Sequence, residues 1–411
     1  MPAMMRSTRL EVDLDAVRHN LRAVRRMLAS PAPGAVPPIP APATTTAAPR
    51  IAAVLKADGY GLGAVRVAAE LLDEGVDMLA VACLPEAVEL RRHYADVPIM
   101  VMGHTPDEYL GHAVESGLTA TIFDMRQAQA LSRIASSLGR RALVHVKIDT
   151  GMHRLGMVPG PDTSGILARM AALPSLELEG IFTHLALRDA DSDRRQFDLF
   201  LQVVAGAAAL GVTFSLRHVC DSIGLMRYPE YRLDMVRVGA VLYGVRPLRT
   251  PLYNEVDILE AAAFRTRIAR LARLQEGESV SYDTSWTAPA GGALVATIPA
   301  GYADGYRRCL SNKAQVVVRG VRAPVVGLVC MDQLMVDVSW VPSVSENDDV
   351  LLFGSPRGEQ PGACIGLLEI AEWAGTNRNE IICSIGRRVP RLYLREGREV
   401  AVLDHLLDQE S

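Results

Sequence analysis

The sequence predicts an α/β protein, a (β/α)8 barrel followed by a mostly antiparallel C-terminal β domain. Eight short apolar runs recur between Arg50 and about Gly244, with amphipathic stretches between them. That alternation is how parallel strands joined by crossover helices read. After about Ala263 the texture changes to β-branched runs separated by glycine, proline and polar turns, as expected of antiparallel strands. No Gly-x-Gly-x-x-Gly follows the first strand, which weighs against the alternative, a doubly wound open sheet. At 411 residues two domains are expected, over 1–256 and 257–411.

Residues Glu11 to Leu28 carry apolar residues at helical spacing, with Asp13 or Asp15 as N-cap, and predict a first helix. Residues 29–49 are proline- and alanine-rich. They can neither continue a helix nor pair as a central strand, so a solvent-exposed insertion is expected. The eight barrel strands are predicted at Ile51–Lys56, Met78–Cys83, Pro98–Met102, Thr119–Phe123, Ala142–Asp149, Leu178–His184, Leu216–Ser222 and Met235–Tyr243. Between them, Val65–Leu72, Pro85–Tyr94, Met125–Leu138, Ser164–Leu173 and Arg194–Leu210 show helical spacing. In the second domain, strands are predicted at Phe264–Leu274, Ala293–Ile298, Gln315–Val318, Val325–Val329, Leu334–Val338 and Asp349–Phe353. Leu367–Trp373 reads as a helix, and Arg388–Asp404 as a closing strand pair around Glu396-Gly397.

A formal charge of −4 offers no basic field for nucleic acid, and no apolar run is long enough to span a bilayer. The N-terminal stretch lacks the apolar core of a signal peptide, so a cytoplasmic protein is expected. Its six cysteines show no paired metal-type spacing and read as reduced packing residues. No metal site is suggested.

The chemistry begins at Lys56. It closes a buried strand at the mouth of the turn Gly59-Tyr60-Gly61-Leu62-Gly63, where partial desolvation would lower its amine pKa and favour Schiff-base chemistry. The glycines would let the backbone turn and approach a ligand, and Tyr60 would offer a hydroxyl to a phosphate. In His145–Gly156 a strand alternates polar and apolar residues and ends at Asp149, Thr150 and Arg154. Polar groups inside a barrel must pair with one another or bind something. Arg237 lies within an apolar strand and must meet an acceptor, and Tyr282 begins a turn from which it would project outward.

The stretch Lys56–Gly63 resembles the cofactor-lysine signature of the alanine racemase family, with Leu62 in place of the usual histidine. Residues 145–156, Gly180–His184, His218–Ser222, Val236–Gly239, Val280–Trp286, Ile298–Tyr306 and Val326–Asp332 are similar, in order and spacing, to further motifs of that family. The resemblance implies a barrel that binds pyridoxal phosphate, a C-terminal β domain, and a homodimer whose active sites lie between subunits. It implies that Lys56 holds the cofactor and that Tyr282 of the partner subunit is the opposing base. Tyr60, Ser222, Gly239 and Ala240 would bind the phosphate, and Arg237 would face the pyridine nitrogen. Arg154 would face the ring and the substrate carboxylate, Met331 and Asp332 would complete the pocket from the other chain, and Lys147 matches a lysine often carbamylated in the family.

The residue types suit racemisation of a small amino acid, which needs two bases flanking the α-carbon. A free tyrosine, with pKa about 10, needs cationic help, which His184 and Arg237 would supply as a hydrogen-bonded chain. Two departures stand out. Asp221 replaces an asparagine before the phosphate-binding serine, and Asn379 replaces a tyrosine that reaches the phosphate and pocket. In the second the chain resembles the serine-racemising members, so serine is expected beside alanine. A related decarboxylase would carry a cysteine in place of Tyr282, and a non-catalytic pyridoxal phosphate carrier would lack the β domain.

Overall fold

The computed structural model describes residues 4–29, 48–246, 256–356 and 362–407. Most of the expected proline-rich insertion therefore lies outside the described residues. The first strand, β1 (Arg9–Asp13), precedes a helix over Leu14–Ala29. All eight predicted barrel strands follow: β2 (Arg50–Val54), β3 (Met78–Val81), β4 (Ile99–Val101), β5 (Thr119–Ile122), β6 (Ala142–Lys147), β7 (Leu176–Phe182), β8 (Leu216–His218) and β9 (Met235–Val238). They pair in parallel in the order β8-β7-β6-β5-β4-β3-β2-β9. The edges β8 and β9 meet where Asp234 N–H donates to Arg217 O (3.1 Å) and Arg237 N–H to Cys220 O (3.0 Å), which rounds the sheet toward a barrel. Every residue of β3, β4 and β5 is buried, because crossover helices cover a parallel sheet on its outer face.

The second sheet holds β10 (Ala262–Arg267), β11 (Arg270–Leu274), β12 (Ala293–Ile298), β13 (Gln315–Val318), β14 (Val321–Val326), β15 (Leu334–Asp337), β16 (Asp349–Gly354), β17 (Arg391–Arg395) and β18 (Arg398–Leu403). Its order is β11-β12-β15-β14-β13-β16-β10-β1-β17-β18, antiparallel except where β1 runs parallel to β17. A helix over Leu367–Ala374 packs on it, as the spacing predicted.

Four expectations are corrected. The run expected as one helix from Glu11 opens as a strand, because Leu10 and Val12 alternate inward against β10 and β17 before the helical period begins. Of the two expected caps, Asp13 serves, its Oδ1 accepting from Ala16 N–H (3.0 Å). The single run Phe264–Leu274 is two strands, one central and one at the sheet edge. The strand expected at Val325–Val329 lies at Val321–Val326, since a tight turn at Arg319-Gly320, both at positive φ, pairs Val318 with Val321 and sets the register. Of the six cysteines, expected to be packing residues, only Cys220 is buried, and Cys83, Cys309 and Cys383 are exposed.

The two halves grip each other at the turn after β2. The Arg391 guanidinium donates from Nε to Gly61 O (3.0 Å), and the Tyr393 hydroxyl donates to Leu62 O (2.9 Å). Leu62 is fully buried there, as an apolar side chain allows.

Candidate active site

The C-terminal ends of β2, β6, β7, β8 and β9 open onto one cavity of about 590 Å³. Catalytic groups of a barrel collect at this rim because each strand ends in a loop free to vary. Lys56, Tyr60, Lys147, Arg154 and His184 line the cavity, with Ser222, Arg237, Gly239, Ala240 and Asn379. Tyr282, Met331 and Asp332 do not. Tyr282 stands on a short turn of the second domain and is 67% exposed, and Met331 is 52% exposed. Asp332 is held by the Arg388 guanidinium at 2.7 Å.

Beyond Lys56 the backbone makes a left-handed turn. Ala57 and Asp58 both lie at φ 53°, Gly59 at 61° and Tyr60 at 58°. Each non-glycine residue in that region costs about 1–2 kcal/mol, so the turn must be held from outside. The Glu86 carboxylate accepts from Ala57 N–H (2.7 Å) and Ala82 N–H (2.8 Å), and Asp58 Oδ1 accepts from Ala64 N–H (2.7 Å). Two expectations change here. Lys56 is exposed rather than partly desolvated, because it follows β2 at the open mouth of the barrel. Gly61 and Gly63, expected to let backbone approach a ligand, instead admit protein: a Cβ on Gly61 would sit 2.9 Å from Ile382 O, and one on Gly63 would sit 1.9 Å from Tyr393 Oη.

Ser222, Tyr60 and Gly239 make one end of the cavity. Ser222 Oγ accepts from Gly239 N–H (3.1 Å), and a Cβ on Gly239 would sit 2.6 Å from Tyr60 Oη, so only glycine leaves this cradle open. Burial pushes the Tyr60 phenol up, keeping it a hydroxyl donor. Asp221 spends one carboxylate oxygen capping the helix Ser222–Arg227, accepting from Ile223 N–H (2.9 Å) and Gly224 N–H (2.8 Å).

The other end is basic and ordered by Arg237, which is 4% exposed. Its guanidinium donates to Thr183 O and Val219 O (both 2.9 Å), to His218 Nδ1 (2.7 Å) and to His184 Nδ1 (3.3 Å). The expected acceptors are thus present. Burial first, offset by Asp221 and Cys220, brings Arg237 down to about 10, still charged at neutral pH. Burial and then Arg237 push His184 well below the usual imidazole range, so it is neutral, and Arg237 alone is the cation of that pair. Lys147, buried and repelled by Arg237 and Arg154, falls to about 7.

Several neighbours of the site carried no individual assignment in the sequence, although Phe182, His145 and His218 lie in segments singled out there. Phe182 stacks on His218 with ring centroids 4.7 Å apart, and Lys147 Nζ stands 4.9 Å over the Phe182 ring. His145, His218 and Glu179 continue the network inward from Arg237. The polar–apolar alternation of His145-Val-Lys147 was the signal for the first of these. Arg378, beside Asn379 in the cavity wall, carried none.

Comparison with known proteins fits this geometry. The family models for the N-terminal and C-terminal domains of alanine racemase match residues 42–247 and 261–393. An alanine racemase of Desulforamulus reducens is 40% identical over 387 residues, covering 93% of this chain and 98% of its own length. One from Desulfovibrio desulfuricans is 41% identical over 388 residues, covering 93% and 97%. Among solved structures, alanine racemase of Clostridium difficile superposes with a TM-score of 0.88 at 32% identity, covering 98% of this chain and 100% of that one. The Bacillus anthracis enzyme with bound L-Ala-P gives 0.86 at 30% identity, covering 99% and 100%.

Proposed function

The chain belongs to the alanine racemase family, and we propose that it interconverts L- and D-alanine, and serine alongside, on pyridoxal phosphate with Lys56 and Tyr282 as the two bases. The observation that carries the reading is one cavity joining a strand-end lysine, a glycine-built cradle and a buried guanidinium. The donor set suits the cofactor. Ser222, Tyr60, Gly239 and Ala240 offer hydroxyl and backbone groups to a phosphate, and Lys56 offers an amine. Bound there, pyridoxal phosphate supplies the electron sink that makes an amino acid's α-proton acidic.

The chain's own residues do the rest. Arg154 takes the substrate carboxylate at the cavity wall. Lys56 Nζ holds the proton exchanged on one face, and Tyr282 Oη the proton on the other. Because Arg237 can only donate, His184 Nδ1 accepts and its Nε2–H is left to donate to a tyrosinate, which lowers the cost of deprotonating Tyr282. Arg237 stays protonated and surrounded by acceptors, so it orients the ring's far side without acting as a base. Tyr282, Met331 and Asp332 lie outside the cavity of their own chain, so a second copy brings them, in a homodimer with shared sites. Lys147, its amine brought down to about 7 by burial and the nearby guanidiniums, is poised to take up carbon dioxide as a carbamate, whose negative charge would suit Arg237 and Arg154. The barrel with its insertion at about 29–49 forms the cofactor domain within 1–256, and 257–411 forms the β domain, into whose sheet β1 (Arg9–Asp13) of the N-terminal part is paired.

The test is racemisation of each alanine enantiomer by the holoenzyme and by Tyr282→Phe, with borohydride reduction to mark the cofactor lysine. Loss concentrated in one direction and a tag on Lys56 alone are expected. Equal small losses in both directions, or a tag elsewhere, would overturn the reading.

A further inference from the structure

Arg378 lines the cavity beside Asn379, and the family motifs give it no role. We propose that Arg378 is a phosphate anchor, a guanidinium that this chain sets at the cradle end of the cavity where Asn379 has taken the place of a tyrosine. The proposal rests on the pyridoxal phosphate reading above.

Its position comes from the second domain. Arg378 opens the helix Arg378–Cys383, whose N-cap Asn377 accepts from Glu380 N–H (3.0 Å). That helix lies against the turn carrying Tyr60: a Cβ on Gly61 would sit 2.9 Å from Ile382 O and 3.6 Å from Cys383 Cα. Cys383 and Asp221 both act electrostatically on the Tyr60 phenol, which puts the helix, the Asp221 carboxylate and the cradle tyrosine in one neighbourhood. Arg237 spans both ends, acting on His184 and feeling Asp221, while Arg378 itself feels Glu372 on the helix Leu367–Ala374.

Chemistry supplies the reason for a cation at this end. Ser222 and Tyr60 are neutral donors, and Asp221 adds a negative charge beside them. A phosphate bound there would face that carboxylate, on which Arg237 already acts, so a further cation at this end would strengthen its hold on a phosphate. Arg378 Nε is buried and has no hydrogen-bond partner among the described residues, so part of a fork suited to phosphate oxygens is paid for in desolvation yet still free to donate. An amide at Asn379, shorter than tyrosine, leaves the room for it.

The experiment titrates apoprotein with pyridoxal phosphate and, separately, with pyridoxal, for the wild type, Arg378→Gln and Arg378→Lys, by absorbance or fluorescence. Thermal unfolding of each apoprotein shows that it is folded. Arg378→Gln should raise the Kd for pyridoxal phosphate roughly tenfold to a hundredfold, as loss of a charge-assisted bond predicts. Its Kd for pyridoxal should stay within about twofold, and Arg378→Lys should keep part of the phosphate preference. A wild type that prefers the phosphorylated form and an Arg378→Gln variant that keeps the full preference would overturn this proposal alone, as would equal losses for both ligands. If the wild type binds pyridoxal as tightly as its phosphate, the cradle reading falls and this proposal with it.

Discussion

His218 Nε2 lies 2.9 Å from His145 Nδ1 inside the barrel, and this contact fixes which nitrogen of each ring carries the proton between Arg237 and Glu179. A guanidinium only donates, so His218 Nδ1 accepts from Arg237 at 2.7 Å and its proton sits on Nε2. His145 Nδ1 then accepts, and its Nε2–H donates to Glu179 Oε2 at 3.1 Å. A cation and a carboxylate are joined through two rings without either being left unpaired, which is how a polar column survives in a barrel interior.

Stability should therefore fall in acid in a way that can be apportioned. His184 and His218 are held neutral, well below the ordinary value near 6.5, chiefly by burial. Above that value neither state carries their protons. Below it the unfolded chain takes up two protons that the native chain refuses, so stability falls as pH falls. Glu260, raised to about 7 by burial, works the other way, because the native chain binds its proton before the unfolded chain does. Between pH 6.5 and 5 the net difference from these groups is about one proton, or about 1.4 kcal/mol per pH unit. Urea unfolding across that range should show Glu260→Gln steepening the slope toward about two protons and His218→Gln flattening it. A slope unmoved by both variants would refute the assignment.

A second prediction concerns the turn that carries Lys56. Glu86→Ala removes the acceptor for Ala57 N–H and Ala82 N–H while the left-handed backbone stays strained. Stability should drop by about 1–3 kcal/mol, and cofactor uptake at Lys56 should slow, because the lysine is no longer fixed at the rim. Glu86→Gln keeps one acceptor oxygen and should fall between. Thermal unfolding and the rate of absorbance change on adding pyridoxal phosphate to apoprotein decide it.

What was legible in the sequence was what repeats or what matches a motif. The barrel strands showed as apolar runs such as Ile51–Leu55, and Lys56, His184 and Ser222, read at strand ends, share one rim with Arg154 from a loop and Arg237 from within the last strand. Contacts between distant segments were not legible. Val12 reads as part of the helix expected from Glu11 until β10 and β17 are seen on either side of β1. Gly61 and Gly63 read as ligand-facing because sequence shows that room is needed and not for whom; Ile382 and Tyr393 lie more than 300 residues on. The exposure of Lys56 follows from the open mouth of the barrel, which no local pattern encodes.

The shared-site reading makes a prediction about mixtures. Lys56→Ala and Tyr282→Phe homodimers should each be nearly inactive in at least one direction. After subunit exchange, a hybrid dimer would hold one site with both residues intact and should recover activity, up to about half of the sites in each hybrid. Size-exclusion chromatography with light scattering checks that dimers form and exchange. Verified exchange without recovery would place both bases of a site in one chain.

The last prediction concerns the substrate and rests on Asn379, which lines the cavity. A tyrosine there would close the space beside the α-carbon, whereas an asparagine leaves room for a β-substituent and offers an amide to a hydroxyl. A hydroxyl buried without a partner is penalised by roughly 1–3 kcal/mol, or about tenfold to a hundredfold in kcat/KM. Alanine has no such group and is insensitive to the difference. Asn379→Tyr should therefore lower serine racemisation by about tenfold or more while alanine racemisation changes little. Measuring kcat/KM for both amino acids in the two proteins separates pocket shape from cofactor retention: an unchanged serine-to-alanine ratio at full cofactor occupancy would show that Asn379 does not set the substrate.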